Sequence, residues 1–524
     1  MYIDYNVRLL ICSYILFKYR INSKLKQLFL VFILNKLIDY YNDDYLDKKS
    51  KICLREDNLK FDDEQIKAIY ANELFNLVIA GAGSGKTSLI VGKINYLIEE
   101  ERLLPNEIIC LSFTNEACYN LKSRLKYNVE VLTFHKLSLL ILNGKYRLNN
   151  NYLKYVIDEY FSGIAIYDKE LIINLLKMIN KRNYTKYQYY LSTGLFEPLK
   201  KVIFKFIQLF MVEGYDYIDF LKIKKHKQLM LVIIDIYYLY MEEMESNGEI
   251  DLNMLIVKAT NDVRNFRLKY KYVIIDEFQD ISKIRLNLVY SIINSTGAKL
   301  LAVGDDYQSI YGFSGSSLKD YINLCNKKYE VKVIKLKNNY RCCKELVNVS
   351  NKFISKNKNQ IKKKITGMFS IKYPIVIVRE KKNVLEKLLI NLSQINHYIL
   401  VLGRNNNDIN EYIDKIKIEI IEKKYNNIIE YKTVHSAKGL EADCVIIINL
   451  KNSRLGFPSQ IKEHDLINYV FSKEKYHYAE ERRLFYVAMT RSKGKVYLLQ
   501  SSKPSLFLKE LKKYHKKNII YNEI

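Results

Sequence analysis

Short, unbroken apolar runs separated by long helical patterns constrain this chain more than any other feature. LVIA (77–80), IICLSF (108–113), VEVLTF (129–134), YVIID (272–276) and LLAVG (300–304) form one series. IVIV (375–378), YILVLG (398–403), CVIIINL (444–450) and KVYLL (495–499) form a second. A half-solvated strand alternates apolar and polar residues; a strand apolar throughout is covered on both faces, as in a parallel sheet flanked by helices. The expected fold is therefore α/β, with two parallel-sheet cores in sequence. The stretch from about 140 to 245 carries no strand signal but has helical periodicity in FEPLKKVIFKFIQLF (196–210) and LMLVIIDIYYLYMEE (229–243). It reads as a helical insertion of domain size in the first core.

The first run leads into AGAGSGKT, Ala80 to Thr87. Glycines at 81, 83 and 85, interleaved with Ala82 and Ser84, let backbone N–H groups converge on phosphate oxygens, and the helix beginning near Lys86 adds its positive end. Lys86 is the residue type that reaches β- and γ-phosphates, and the Thr87 hydroxyl the type that ligates Mg²⁺. The first position of the usual pattern is Ala80 rather than Gly. In YVIIDEFQD, Asp276 ends a buried strand, where a phosphate-loop enzyme keeps its Mg²⁺ carboxylate. Glu277 follows, placed to deprotonate a water attacking the γ-phosphate.

Composition narrows the partners. Lys and Arg total 84 against 57 Asp and Glu, a net charge of +27. That excess favours a polyanion, although a general Lys-rich bias contributes to it. The 8 cysteines lack metal-ligand spacing and read as reduced thiols, without a zinc or iron–sulfur site. The apolar stretches Leu9–Phe17 and Leu28–Leu34 fall short of the ~18 residues of a membrane helix and read as a buried helical pair. The expectation is a cytoplasmic protein with no membrane attachment.

DEFQD (276–280), GDDYQSIYGFSG (304–315), NYR (339–341), TVHSAKGLEAD (433–443) and EERRLFYVAMTR (480–491) together resemble the UvrD/Rep/PcrA superfamily 1A DNA helicases, with wording nearest the helicase IV branch. The resemblance runs from about residue 55 to 500. It implies two RecA-like cores that close on ATP and Mg²⁺. By resemblance, Gln65 reads the adenine edge, Tyr340 stacks on the base and Glu441 contacts the sugar. Gln308 resembles the γ-phosphate sensor, and Arg341 and Arg491 two arginine fingers from the second core. The same resemblance assigns Phe113, Thr114, Asn115, Thr133, His135, Tyr311, Phe313, His435 and Lys438 to DNA. Most relatives carry Trp and Arg where this chain has Phe313 and Ser314, which keeps a stacking face and loses a guanidinium.

The implied activity is an ATP-dependent 3′–5′ helicase that tracks single-stranded DNA and opens tailed duplex. The alternative is a translocase that strips proteins from DNA or serves a repair or defence complex with little unwinding of its own. The stretch after Arg491 is too short for a nuclease domain. The expected organisation is a short N-terminal helical extension (1–54), a first core in two parts (55–138 and 249–328), the helical insertion (139–248) and a second core (329–524). Family members carry a second inserted domain; residues 405–433 are below the ~50-residue floor for one, so none is expected.

Overall fold

The computed structural model describes residues 60–522, apart from 168, 216–218, 221–222, 224–225, 313–314, 317–322, 324–330, 472–473 and 475. The N-terminal extension, with its two apolar stretches, lies outside the described residues, as does Phe313. Among the described residues no helix is long and apolar enough to cross a membrane. The five described cysteines are free and buried.

Two six-stranded sheets organise the chain. The first contains β1 (Phe75–Ile79), β2 (Ile108–Ser112), β3 (Glu130–Thr133), β4 (Tyr272–Ile275), β5 (Lys299–Gly304) and β6 (Val331–Lys335), in the order β3-β2-β4-β5-β1-β6. The second contains β7 (Ile375–Arg379), β8 (Tyr398–Gly403), β9 (Ile428–Thr433), β10 (Cys444–Leu450), β11 (Val496–Gln500) and β12 (Ile519–Asn522), in the order β9-β8-β10-β11-β7-β12. Every pairing in both is parallel. Taken in chain order, the two sheets have one and the same arrangement, as two RecA-like cores require.

The interior strands are apolar because both of their faces are covered. In β1, Leu77 and Ile79 join the core shared with the helical stretch, while Val78 joins the core on the opposite face. In β7, Ile375 and Ile377 face one core and Val376 and Val378 the other. Strands β6, β9 and β12 have no counterpart among the apolar runs. All three are sheet edges, and their burial is partial, so sequences such as VKVIK and IIEYKT satisfy them. Strand β6 pairs with β1 from Phe75↔Val331 to Ile79↔Lys335. It therefore lies past residue 328, where the sequence reading closes the first core.

The helical stretch comprises Tyr152–Tyr167, Lys169–Met178, Tyr187–Ser192, Glu197–Val212 and Lys227–Ser246, and both periodic segments read from sequence fall on its helices, with Phe196 as an N-cap. Its ends are tied by a short parallel pairing of Arg147–Leu148 with Glu249–Ile250. Stacked rings of Phe210 and Phe220, 3.9 Å apart, fill its centre. Between Asn405 and Thr433 stand one 3₁₀ turn (Asp408–Glu411), the helix Lys415–Tyr425 and β9.

Candidate active site

The phosphate loop leaves β1 at the carboxyl edge of the first sheet and enters the helix Lys86–Glu99. Gly83 and Gly85 have φ of 72° and 77°, conformations costly for other residues. A Cβ on Gly83 would stand 2.6 Å from the Arg341 Cβ, so the second core presses directly on the loop. Ser84 Oγ donates to Gly81 O at 2.9 Å, and Ala80 N donates to Gly304 O at 2.9 Å. Lys86 and Thr87 are the first two helical residues, which puts both at the helix's positive end.

Gln65 and Tyr340 meet this loop from outside. Asp62 and Gln65 form a reciprocal capping box at the helix Asp63–Tyr70, and Gln65 Nε2 donates to Ser84 O at 3.2 Å. Tyr340 donates its hydroxyl to Asp62 Oδ2 at 2.7 Å, while Tyr340 N donates to Gly83 O at 2.8 Å. Tyr340 is 45% exposed, leaving a flat face open beside Gln65.

Strand β4 delivers Asp276 to the same edge, and Asp276 Oδ1 accepts from Glu277 N at 2.8 Å. Glu277 follows with φ of 52°, a strained value for Glu. Its Oε1 lies 3.1 Å from Lys86 Nζ, and its Oε2 accepts from Gln279 Nε2. Burial alone would raise the Glu277 pKa; Lys86 and Lys438 outweigh it and hold the carboxyl well below its usual range. Burial and the adjacent Glu277 push Asp276 the other way.

The second core closes the site. Arg341 Nε donates to Glu441 Oε2 at 2.8 Å, and Glu441 also pairs with Lys493 at 2.9 Å. Arg491 is 1% exposed; its Nη2 donates to Gln308 Oε1 at 2.9 Å, and its other nitrogens donate to Val487 O and Leu440 O. Burial, then Arg341, lowers its pKa to about 10, which leaves it cationic.

The family models agree with this architecture. The UvrD/REP helicase N-terminal domain matches residues 61–330, more than half the chain, and the UvrD-like helicase C-terminal domain matches 405–503. The chain belongs to the UvrD/Rep helicase family. It is similar to DNA helicase IV of Escherichia coli, 26% identical over 86% of this chain and 69% of that protein. The ATP-dependent DNA helicase Rep of Buchnera aphidicola is 29% identical over 61% of this chain and 48% of its own length. A probable DNA helicase II homolog of Mycoplasma capricolum is 31% identical over 58% and 42%. The chain thus spans less than half the length of these last two relatives.

In this UvrD/Rep-family chain the residues read as DNA contacts fall into unlike settings. Phe113 follows β2, half-buried, with its ring 5.4 Å from Phe134 and the Arg285 guanidinium 5.6 Å away. Thr114 and Thr133 are N-caps, each hydroxyl accepting a backbone N–H from the next turn. Each keeps its hydroxyl proton to donate elsewhere. Asn115 is the first, exposed residue of the helix Asn115–Lys122. His135 and Arg285 line a pocket of about 560 Å³ with Gln208 of the helical insertion and Asn253 of the first core, and burial lowers the His135 pKa to about 4. Tyr311 donates to His435 O at 3.2 Å, with the two rings 6.4 Å apart.

Lys438, read from sequence as a DNA contact, meets the first core. Its nitrogen is bonded to Asp280 Oδ2 and to Gln308 O and lies 3.9 Å from Glu277, with the side chain 7% exposed. The first core's carboxylates capture that charge inside the cleft. Sequence reasoning also passed over Asp62, Gln279, Asp280, Asp305 and Lys363. Asp62 was readable, because D-x-x-Q before a helical pattern is a capping-box signature; the others are defined by contacts far apart in the chain.

Proposed function

We propose that the chain is an ATP-dependent DNA helicase that moves 3′ to 5′ on single-stranded DNA and separates tailed duplex. The observation that carries the reading is the convergence on one cleft of Lys86 and Glu277 from the first sheet's edge with Arg341 and Arg491 from the second core. Lys86 binds the phosphate chain, Gln65 and Tyr340 hold the base, and Glu441 meets the sugar. Glu277, held ionised, takes the proton of the attacking water. Gln308, Arg341 and Arg491 stabilise charge on the transferred phosphoryl, and they do so only when the two cores are together.

Asp276 and Thr87 supply one carboxylate and one hydroxyl. Such a sparse, all-oxygen donor set fits Mg²⁺, which takes its remaining ligands from substrate phosphates and water. When bound, the ion neutralises developing phosphate charge. Thr114, Asn115, Thr133 and His135 from the first core, with Tyr311, Phe313 and His435, form the track for DNA; the aromatic faces accept any base. Lys438 serves the cleft instead. Three domains follow: a first core interrupted by the helical insertion and extended through Lys335, and a second core with no second insertion. Without that element, one chain translocates without a partner to release it.

Unwinding of 3′-tailed and 5′-tailed duplexes by purified protein, with an RNA-tailed control, tests the reading. ATP-dependent opening of the 3′-tailed DNA alone is expected. Preference for the 5′ tail overturns the polarity, and translocation without opening either substrate replaces the helicase with a protein-stripping translocase.

A further inference from the structure

A lysine that no motif contains lies at the centre of the cleft. The helix Lys344–Ile354 packs Leu346, Val347 and Phe353 into the second core. The chain beyond it crosses to the first core. Gln360 Nε2 donates to Asp306 O at 3.0 Å, and Ile361 N donates to Asp306 Oδ2 at 2.8 Å. Lys363 then enters between Asp305 and Asp306, bonded to both carboxylates and 3.9 Å from the centre of the Tyr307 ring. Its nitrogen also lies 3.4 Å from Ala80 O in the phosphate loop. The Lys363 side chain is 1% exposed and the two aspartates are wholly buried.

The consequence falls on Gln308. Asp305 Oδ2 accepts from Gln308 Nε2 at 2.7 Å, and Gln308 Oε1 accepts from Arg491 Nη2 at 2.9 Å. An amide has one donating and one accepting end, an ionised carboxylate only accepts, and a guanidinium only donates. Reversal of the amide would oppose oxygen to oxygen and N–H to N–H. Lys363 holds the same Asp305 carboxylate by its other oxygen, Oδ1, so lysine, carboxylate, amide and guanidinium form one continuous chain of contacts.

We infer that Lys363 is a positioning residue for ATP hydrolysis: by anchoring the Asp305 carboxylate it fixes where the Gln308 amide is held against Arg491 and the phosphate site. Burial alone would lower the Lys363 pKa, but Asp305 and Asp306 more than reverse this and raise it, so the cation persists. Because Lys363 arrives from the second core's side, the amide is set correctly only when residues 360–363 are docked on the first core. This rests on the sensor role given to Gln308 above.

A double-mutant cycle on the full chain tests it, with DNA-stimulated turnover and ATP affinity measured separately. Lys363→Met is expected to lower kcat at least ~10-fold, the scale of a misplaced catalytic group, with the ATP dissociation constant changed less than ~3-fold. Lys363→Arg, which keeps the charge, is expected to recover part of the rate. Lys363→Met combined with Gln308→Ala is expected to be no slower than Gln308→Ala alone. Multiplying losses in the double variant overturn the positioning role. Wild-type turnover in Gln308→Ala overturns the sensor assignment instead, so the two failures are separable. If Lys363→Met does not fold, Lys363→Met with Asp306→Asn removes the surplus buried charge and carries the same cycle.

Discussion

Arg491 and Gln308 stand 2.9 Å apart, side chain to side chain, although 183 residues separate them and they come from different cores. A contact of this kind exists only when the cleft is shut. Removing the guanidinium takes away charge stabilisation on the phosphoryl and leaves a buried amide oxygen unpaired. We expect Arg491→Ala to lower kcat by at least ~10³-fold, the range for an arginine finger, with ATP still bound. Steady-state hydrolysis and nucleotide titration check both halves.

The pair Lys86–Glu277 yields the second expectation. Lys86→Ala abolishes hydrolysis, whereas Glu277→Gln binds ATP and turns over at least ~100-fold slower, the usual loss for a general base. Glutamine preserves the shape and the hydrogen bond from Gln279 but cannot take a proton. Unchanged turnover in Glu277→Gln would remove it from the base's role.

Hydrolysis should respond to DNA. The finger-like arginines belong to the second core, so closure around a bound strand raises turnover. Single-stranded DNA is expected to stimulate the ATPase severalfold, and the stimulation to fade as salt rises and counterions compete for phosphate contacts. Rates indifferent to DNA at low salt contradict this coupling.

A pH dependence comes from His435. Burial, then Arg404 and Lys438, lower its pKa from 6.5 to about 4. The folded state therefore keeps it neutral where the unfolded chain protonates. Stability is full above pH 6.5 and is lost as pH falls toward 4, by roughly 2 kcal/mol for this residue between pH 7 and 5. Denaturant midpoints at the two pH values should differ less in His435→Gln than in the parent chain.

Sequence exposed what local physics enforces. Interior strands such as β4 and β10 must be apolar on both faces, and the positive φ at Gly83 and Gly85 calls for glycines there. Strand β6 escaped because an edge tolerates alternating lysines, and β12 because a four-residue edge strand carries too short an apolar signal. Lys363 escaped for another reason. It is one of three lysines in IKKKI, and its pairing with the distant Asp305 and Asp306 distinguishes it. The pairing of Lys438 with Asp280 was hidden in the same way, because 158 residues separate the two.

Strand β6 also dictates where the polypeptide can be divided. A fragment stopped at residue 328 would lack Val331–Lys335, and the whole of Phe75–Ile79 would lose its ladder on that side. The strand that leads into the phosphate loop would then be a bare edge, a template for pairing with other chains. Leu336, buried and donating its N–H to Ile79 O, extends the same seam. A self-sufficient N-terminal fragment therefore has to include Leu336, and the aggregation of shorter ones would reflect an amputated strand rather than intrinsic insolubility.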